Sequence, residues 1–209
     1  MDIIVIDNRL AQDMVGFGPE RPETIVVNEH IPMLKMLDKI KTKVNNSISN
    51  QIGMLIIAAH GYSYRGIDGK AYSGFGMQLC QEDLDLKSVH LFSMLKGLFS
   101  SKDLGIRLMG CGVAADSKVK TEAGIQLGFG SRLCRALAEK TGTGVVASSD
   151  LQITSFGDVN RRNTRGLSEI IPVANPGCWE GQVWKFSPDG KRKQASVTDR
   201  GERPNCSAE

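Results

Sequence analysis

An α/β fold built on a mostly parallel β-sheet is what this sequence predicts, and three observations predict it. Short apolar runs rich in β-branched residues recur along the chain, amphipathic stretches lie between them, and glycine-rich turns close most of the runs. Strands that alternate with helices pair in parallel, because each helix carries the chain back across the sheet. With 209 residues, 41% of them hydrophobic and 23% charged, the chain can bury a core without disulfides or metals. No apolar run is long enough to cross a bilayer.

Residues 1–7 (MDIIVID) form the first expected strand, a β-branched run that ends in an acid. Residues 8–24 mix glycine, proline and charge and read as an irregular loop, and Ile25, Val26 and Val27 as a short second strand. Over residues 31–48 apolar side chains recur at 34, 37, 40 and 44, which is helical spacing. Residues 53–59 (GMLIIAA) are continuously apolar, as a strand covered on both faces would be. They end in His60-Gly61, and a Gly-, Tyr- and Ser-rich loop follows to Gly76. A helix is expected over 88–99, a strand over 105–109 (GIRLM), a helix over 128–140 stopped by Gly142, and a strand over 144–147. Alternation over 178–186 suggests a late hairpin strand before the turn Pro188-Asp189-Gly190. Residues 1–190 are expected to make one domain, and 191–209 a disordered polar tail.

The formal charge of +3 is too mild for a nucleic-acid footprint. Its local concentrations, Arg161-Arg162-Asn163-Thr164-Arg165 and Lys191-Arg192-Lys193, read as a solvated loop and tail. The five cysteines (Cys80, Cys111, Cys134, Cys178, Cys206) are odd in number and irregularly spaced, with neither a Cys-x-x-Cys nor a zinc-ligand pattern. Nothing at the start has the basic, then apolar, then small-residue order of a secretory signal. Free thiols in a reducing compartment are therefore expected, with no metal and no cofactor.

In a parallel sheet, ligands sit beyond the carboxyl ends of the strands. Two apolar strands end there in a reactive residue flanked by glycine: Ala58-Ala59-His60-Gly61 and Met109-Gly110-Cys111-Gly112. A cysteine nucleophile acts as its thiolate and needs a base beside it, and a histidine can take that proton and return it to a leaving amine. The glycines let a substrate backbone come close and leave N–H groups to face an oxyanion. On residue chemistry alone, the pair reads equally as an acyl-transfer dyad or as two structural residues.

The 51 positions between His60 and Cys111 are close to the caspase spacing. With IIVID, LIIAAHG, RLMGCGVAADS, LAEKTG and VVASSD in that order over residues 1–186, the chain resembles the caspase-like (clan CD) cysteine peptidases. It is nearest to their bacterial CHAT, toxin self-processing and adhesin-associated branches. It departs from true caspases in lacking Gln-Ala-Cys-x-Gly. The resemblance implies a caspase-like three-layer sandwich and a cysteine endopeptidase that cuts a protein substrate, or itself, through an acyl-enzyme. Cys111 would be the nucleophile and His60 the base, with the N–H groups of Gly61 and Cys111 as the oxyanion hole. Ser148, Ser149 and Asp150 would line the pocket for the side chain before the cut, where Asp150 would favour Arg or Lys unless it caps a turn. The setting implied is cytoplasmic, or a host cytosol into which the protein is delivered. An anionic activator such as an inositol phosphate would meet Arg161, Arg162 and Arg165. Two rival readings keep the same residues: a silent caspase-like module that binds a protein, and a Cys-His acyltransferase.

Other candidates carry less. His30 and His90 read as surface or packing residues and Cys134 as core. Asp7 either orients His60 or forms a turn. Cys178 and Trp179 fall in a turn, and Trp179 and Trp184 cover the sheet or wall a cleft. Gly128-Phe129-Gly130 precedes a helix but lacks the Lys-Ser/Thr of a phosphate loop.

Overall fold

The computed structural model describes residues 1–11, 23–150, 156–162, 168–174, 179 and 181–200. In chain order the elements are β1 (Ile3–Asp7), a single turn α1 (Asn8–Ala11), β2 (Thr24–Val27), α2 (Met33–Asn45), β3 (Leu55–Ala58), β4 (Gly61–Arg65) and β5 (Ala71–Met77). A 3₁₀ segment (Val89–Leu95), β6 (Ile106–Met109), β7 (Lys118–Thr121), β8 (Gly124–Leu127), α3 (Gly130–Thr141) and β9 (Val145–Ser148) follow. The last elements are β10 (Phe156–Arg162), β11 (Ser168–Ala174), β12 (Val183–Phe186), β13 (Arg192–Gln194) and the turn α4 (Val197–Arg200).

Seven strands form the central sheet in the order β13-β12-β9-β6-β3-β1-β2. From β2 to β9 every neighbouring pair is parallel, and β12 runs antiparallel to both β9 and β13. The fold is therefore mixed α/β with a large, mostly parallel sheet, and the apolar runs expected at β1, β2, β3, β6 and β9 are all in it. Side chains alternate across the sheet. Ile3, Val5, Leu55, Ile57, Ile106, Leu108, Val145, Ala147 and Phe186 share one face, and all are buried in a single core. The apolar side of α2 (Met33, Met36, Leu37, Ile40, Val44) and that of α3 (Leu133, Cys134, Leu137, Ala138) close over this face, with the 3₁₀ segment touching both. Gly142, at φ 72°, ends α3 in the left-handed conformation that glycine takes without strain.

The opposite face carries Ile4, Ile56, Arg107, Val146 and Lys185 in register. Trp179 packs there with Val146 and Val183. Arg107 Nε donates to the Asp199 carbonyl at 3.0 Å, and Lys185 Nζ bridges Asp103 at 2.6 Å and Asp199 at 2.7 Å, so that α4 is tied to the sheet.

The structure departs from the sequence expectations in four places. The Gly-, Tyr- and Ser-rich segment after His60 is not a loop but the hairpin β4–β5, with Tyr64 opposite Tyr72 and the Tyr64 ring edge-on to Phe75 at 4.6 Å. Asp68 closes its turn by accepting from Lys70 N–H and Tyr72 Oη. A second hairpin, β7–β8, also arises where no strand is expected. The helix expected over 88–99 is the short 3₁₀ segment, which stops at Lys96, whose backbone is extended. In residues 192–200, which fall in the stretch expected to be a polar tail, β13 pairs with β12, and α4 is held by Arg107 and Lys185. Each departure is held by turn geometry or by distant partners, neither of which leaves a periodic apolar pattern. Residues 201–209, with Cys206, lie outside the described residues, as do Cys178 and Arg165.

Candidate active site

β3 and β6 are adjacent and parallel, with Ala58 opposite Met109, so the next residues of each leave the sheet at its carboxyl edge together. Ala59 N–H still donates to the Met109 carbonyl, at 3.2 Å. Beyond that bond the two backbones touch. A Cβ on Gly61 would fall on the Cys111 carbonyl oxygen, and one on Gly110 would lie 2.7 Å from the Ala59 carbonyl oxygen. Glycine at both places is therefore a packing requirement, and it sets His60-Gly61 against Cys111. His60 and Cys111 are both half-buried. After Cys111 the chain turns sharply at Gly112, which has φ 56° and leaves room for the Ser73 side chain of β5.

The imidazole of His60 has a defined neighbour. Its Nε2 lies 3.3 Å from the carbonyl oxygen of Arg9. A carbonyl can only accept, so the tautomer that makes this bond carries its proton on Nε2 and its lone pair on Nδ1. Arg9 is clamped in turn. Its Nε and Nη2 donate to the two oxygens of Asp7 at 2.8 Å each, and its own N–H donates to Asp7 Oδ1 at 3.1 Å. Asp7 is fully buried and also accepts from Cys80 N–H at 3.1 Å. The hydrogen bond to Asp7 raises the Arg9 pKa. Of the two roles open to it, Asp7 comes one step from orienting His60, by holding the chain whose carbonyl meets the ring. Beside this clamp Tyr62 donates to Asp83 at 2.6 Å, and burial, then that bond, push its phenol up to about 12.

Three cysteines lie among the described residues, and they differ in surroundings. Burial, reinforced by the charge of Asp7, pushes the Cys80 thiol up to about 12, and burial also raises Cys134 within the core of α3. Burial thus disfavours the thiolate at both. Cys111 is the partly exposed thiol of the three.

The segment after β9 adjoins the Cys111 turn. Gly112 N–H donates to the Asp150 carbonyl at 2.7 Å, and Ala114 N–H to the Ser148 carbonyl at 2.8 Å. Ser148 is buried and Asp150 exposed. The Asp150 carboxylate accepts from Gln182 N–H at 2.6 Å and from the Ser149 hydroxyl at 3.3 Å, and Trp184 Nε1 donates to Ser149 Oγ at 3.3 Å. Asp150 thus braces a turn, and it does so beside Cys111. The structure brings His60, Gly61, Cys111 and residues 148–150 to one stretch of the sheet's carboxyl edge.

The lesser candidates sort plainly. His30 and His90 are exposed, His90 contacting the Lys87 carbonyl through Nδ1. Trp179 is buried against the sheet, its Nε1 donating to the Arg200 carbonyl at 2.9 Å, and Trp184 is covered by the Arg192 guanidinium at 4.2 Å. The N–H groups of Gly128, Phe129 and Gly130 donate to the carbonyls of Ser117, Gly74 and Ala115, so the turn cradles its own chain and no phosphate. Among the described residues no helix is long and apolar enough to cross a membrane. Sequence reasoning missed Arg9, because its contribution is a backbone carbonyl and any residue type carries one. Comparison with protein-family models, curated proteins and solved structures finds no match.

Proposed function

We propose that this chain is a cysteine endopeptidase with a caspase-like three-layer fold. The observation that carries the reading is the contact of Gly61 with the Cys111 backbone at the carboxyl edge, with His60 Nε2 3.3 Å from the Arg9 carbonyl. The order of elements supports it as well. His60-Gly61 follows β3, Cys111 follows the neighbouring β6, and past the β7–β8 hairpin come a helix, α3, and a further strand, β9, in the order that the resemblance implies.

In this mechanism His60 Nδ1 takes the proton of Cys111 Sγ as the thiolate attacks the scissile carbonyl carbon. The carbon–sulfur bond forms, and the oxyanion faces the N–H groups of Gly61 and Cys111. Collapse breaks the carbon–nitrogen bond while the imidazolium returns its proton to the leaving amine. His60 then deprotonates a water that hydrolyses the thioester, releasing the acid and restoring the thiol. The Arg9 carbonyl stabilises the imidazolium through Nε2–H in both steps. The Asp150 carboxylate already accepts from Gln182 N–H in bracing its turn, and its exposed charge beside the Cys111 turn would in addition favour Lys or Arg before the cut. An anionic activator would act through Arg161 and Arg162 of β10 together with Arg165, and calorimetry with inositol hexakisphosphate reads this directly.

Thiol alkylation tests the dyad. Iodoacetamide is expected to label Cys111 well before Cys80 and Cys134 near neutral pH, and His60→Ala to erase the lead. Equal rates in the wild type would end the catalytic reading and leave the protein-binding module. Incubating wild type and Cys111→Ala with a cell lysate, followed by mass spectrometry of new termini, reports substrate and site together. New acyl-amine products without hydrolysis would point to the acyltransferase.

A further inference from the structure

The β2 edge of the sheet, two strands from β3, presents backbone groups that another strand could pair with. β2 ends the sheet, and among the described residues no strand pairs with its outer side. Ile4 N–H donates to the Glu23 carbonyl at 3.1 Å, with Ile4 opposite Thr24. In a parallel ladder this register turns the backbone groups of Glu23, Ile25 and Val27 toward β1 and those of Thr24 and Val26 outward. An open row of this kind is a template for strand addition.

Beside that row runs a groove of about 460 Å³ between β2 and α2. Its helical wall carries Lys35, Lys39 and Lys43, with Asp38 as the one acid lining it. Residues four apart on a helix recur every ~6 Å. Alternate side chains on a strand recur every ~6.6 Å. A strand added to β2 would therefore send every second side chain toward the lysine row, nearly in step with it. Its other side chains would share the face of Val26, which is 38% exposed.

We propose that β2 and α2 bind, by strand addition, an extended segment of a partner protein in which acidic residues alternate with apolar ones. Backbone bonds to Thr24 and Val26 supply the pairing, the lysines choose acidic side chains on one face, and Val26 contacts the apolar ones on the other. The site does not depend on the cysteine chemistry, and it stands or falls separately from the peptidase reading.

The test uses the full chain and a short fluorescein-labelled peptide of alternating Glu and Val. Saturable binding by anisotropy is expected, weakening as salt is raised. The double variant Lys35→Glu/Lys39→Glu, which changes only exposed side chains, is expected to weaken it about tenfold or more. Bound peptide should also slow amide exchange at Thr24 and Val26. Absence of saturable binding overturns the proposal, as does equal binding of a peptide with the same composition but its glutamates in one block. Binding without protection of those two amides overturns it too. Phosphatidylserine vesicles that displace the peptide while both amides still exchange freely would mark an anionic-surface site and overturn it likewise.

Discussion

Two buried ion clusters brace the central sheet, one beside the candidate site and one on the opposite face. In the first, the fully buried Asp7 accepts both arms of the Arg9 guanidinium and the N–H of Cys80. In the second, Lys185, only 3% exposed, lies between Asp103 and Asp199. The chemistry is alike and the consequence differs. Asp7 fixes a backbone carbonyl against His60, whereas Lys185 staples α4 to β12. A buried ion pair is weak testimony to stability in itself, because desolvation offsets much of its attraction. What it positions decides its meaning.

The largest expected effect separates the two clusters most sharply. Asp7→Asn leaves Arg9 facing a neutral partner, and the free energy of unfolding should fall by ~2–4 kcal/mol. The same substitution should slow alkylation of Cys111 severalfold, because the Arg9 carbonyl is no longer held. Urea midpoints and iodoacetamide rates measure the two effects, and a stability loss with an unchanged rate would reduce Asp7 to a staple like Lys185.

Lys185→Met is expected to be milder, at about 1–3 kcal/mol, since Asp103 can turn to solvent and leaves Asp199 as the partner to resettle. Cys111 alkylation should not change, and the segment carrying α4 should become easier to proteolyse. The pH profile refines this. Burial alone would lower Lys185, but the two carboxylates hold it above its ordinary value of 10.5. Burial alone would raise Asp199, but Lys185 and the Ser196 N–H and hydroxyl hold its carboxyl below the usual range. A raised lysine contributes stability that is complete below the unfolded value and lost as pH rises through the folded one. A depressed aspartate contributes stability present above its unfolded value and lost as pH falls through the folded one. The wild type should therefore lose stability above about pH 10.5 and again in strong acid, and Lys185→Met should flatten the alkaline limb.

The smallest effect is expected at Asp150. Asp150→Asn keeps an acceptor for Gln182 N–H, so stability should move by less than ~0.5 kcal/mol. If Asp150 selects the side chain before the cut, cleavage after Lys and Arg should fall while other cleavages persist. Peptide-library digestion would show it.

How much of this was legible beforehand depended on how local each cause is. β1, β3, β6 and β9 are strands buried on the core face, so their apolar runs announce them. α2 and α3 show themselves by periodicity, and Gly142 by its place after the last helical residue. His60 and Cys111 were legible because each follows an apolar run and meets glycine. The hairpins β4–β5 and β7–β8 were not, since their largely exposed strands need no apolar alternation. α4 was hidden because its partners, Arg107 and Lys185, are distant in the chain. The β2 edge was equally hidden: strand order, not composition, leaves Thr24 and Val26 without a strand on their outer side among the described residues.

By itself, then, the sequence determined the fold class, the main strands and helices, and the pair of strand ends that carry His60 and Cys111. These follow from hydrophobic periodicity and from glycine's freedom, which act over a few residues. Only the tertiary structure decided that Gly61 meets the Cys111 backbone, that Arg9 offers its carbonyl to His60, and that Asp150 braces a turn beside them. Those contacts join backbone atoms and buried charges from separate strands, and such atoms meet only when the sheet has set their register.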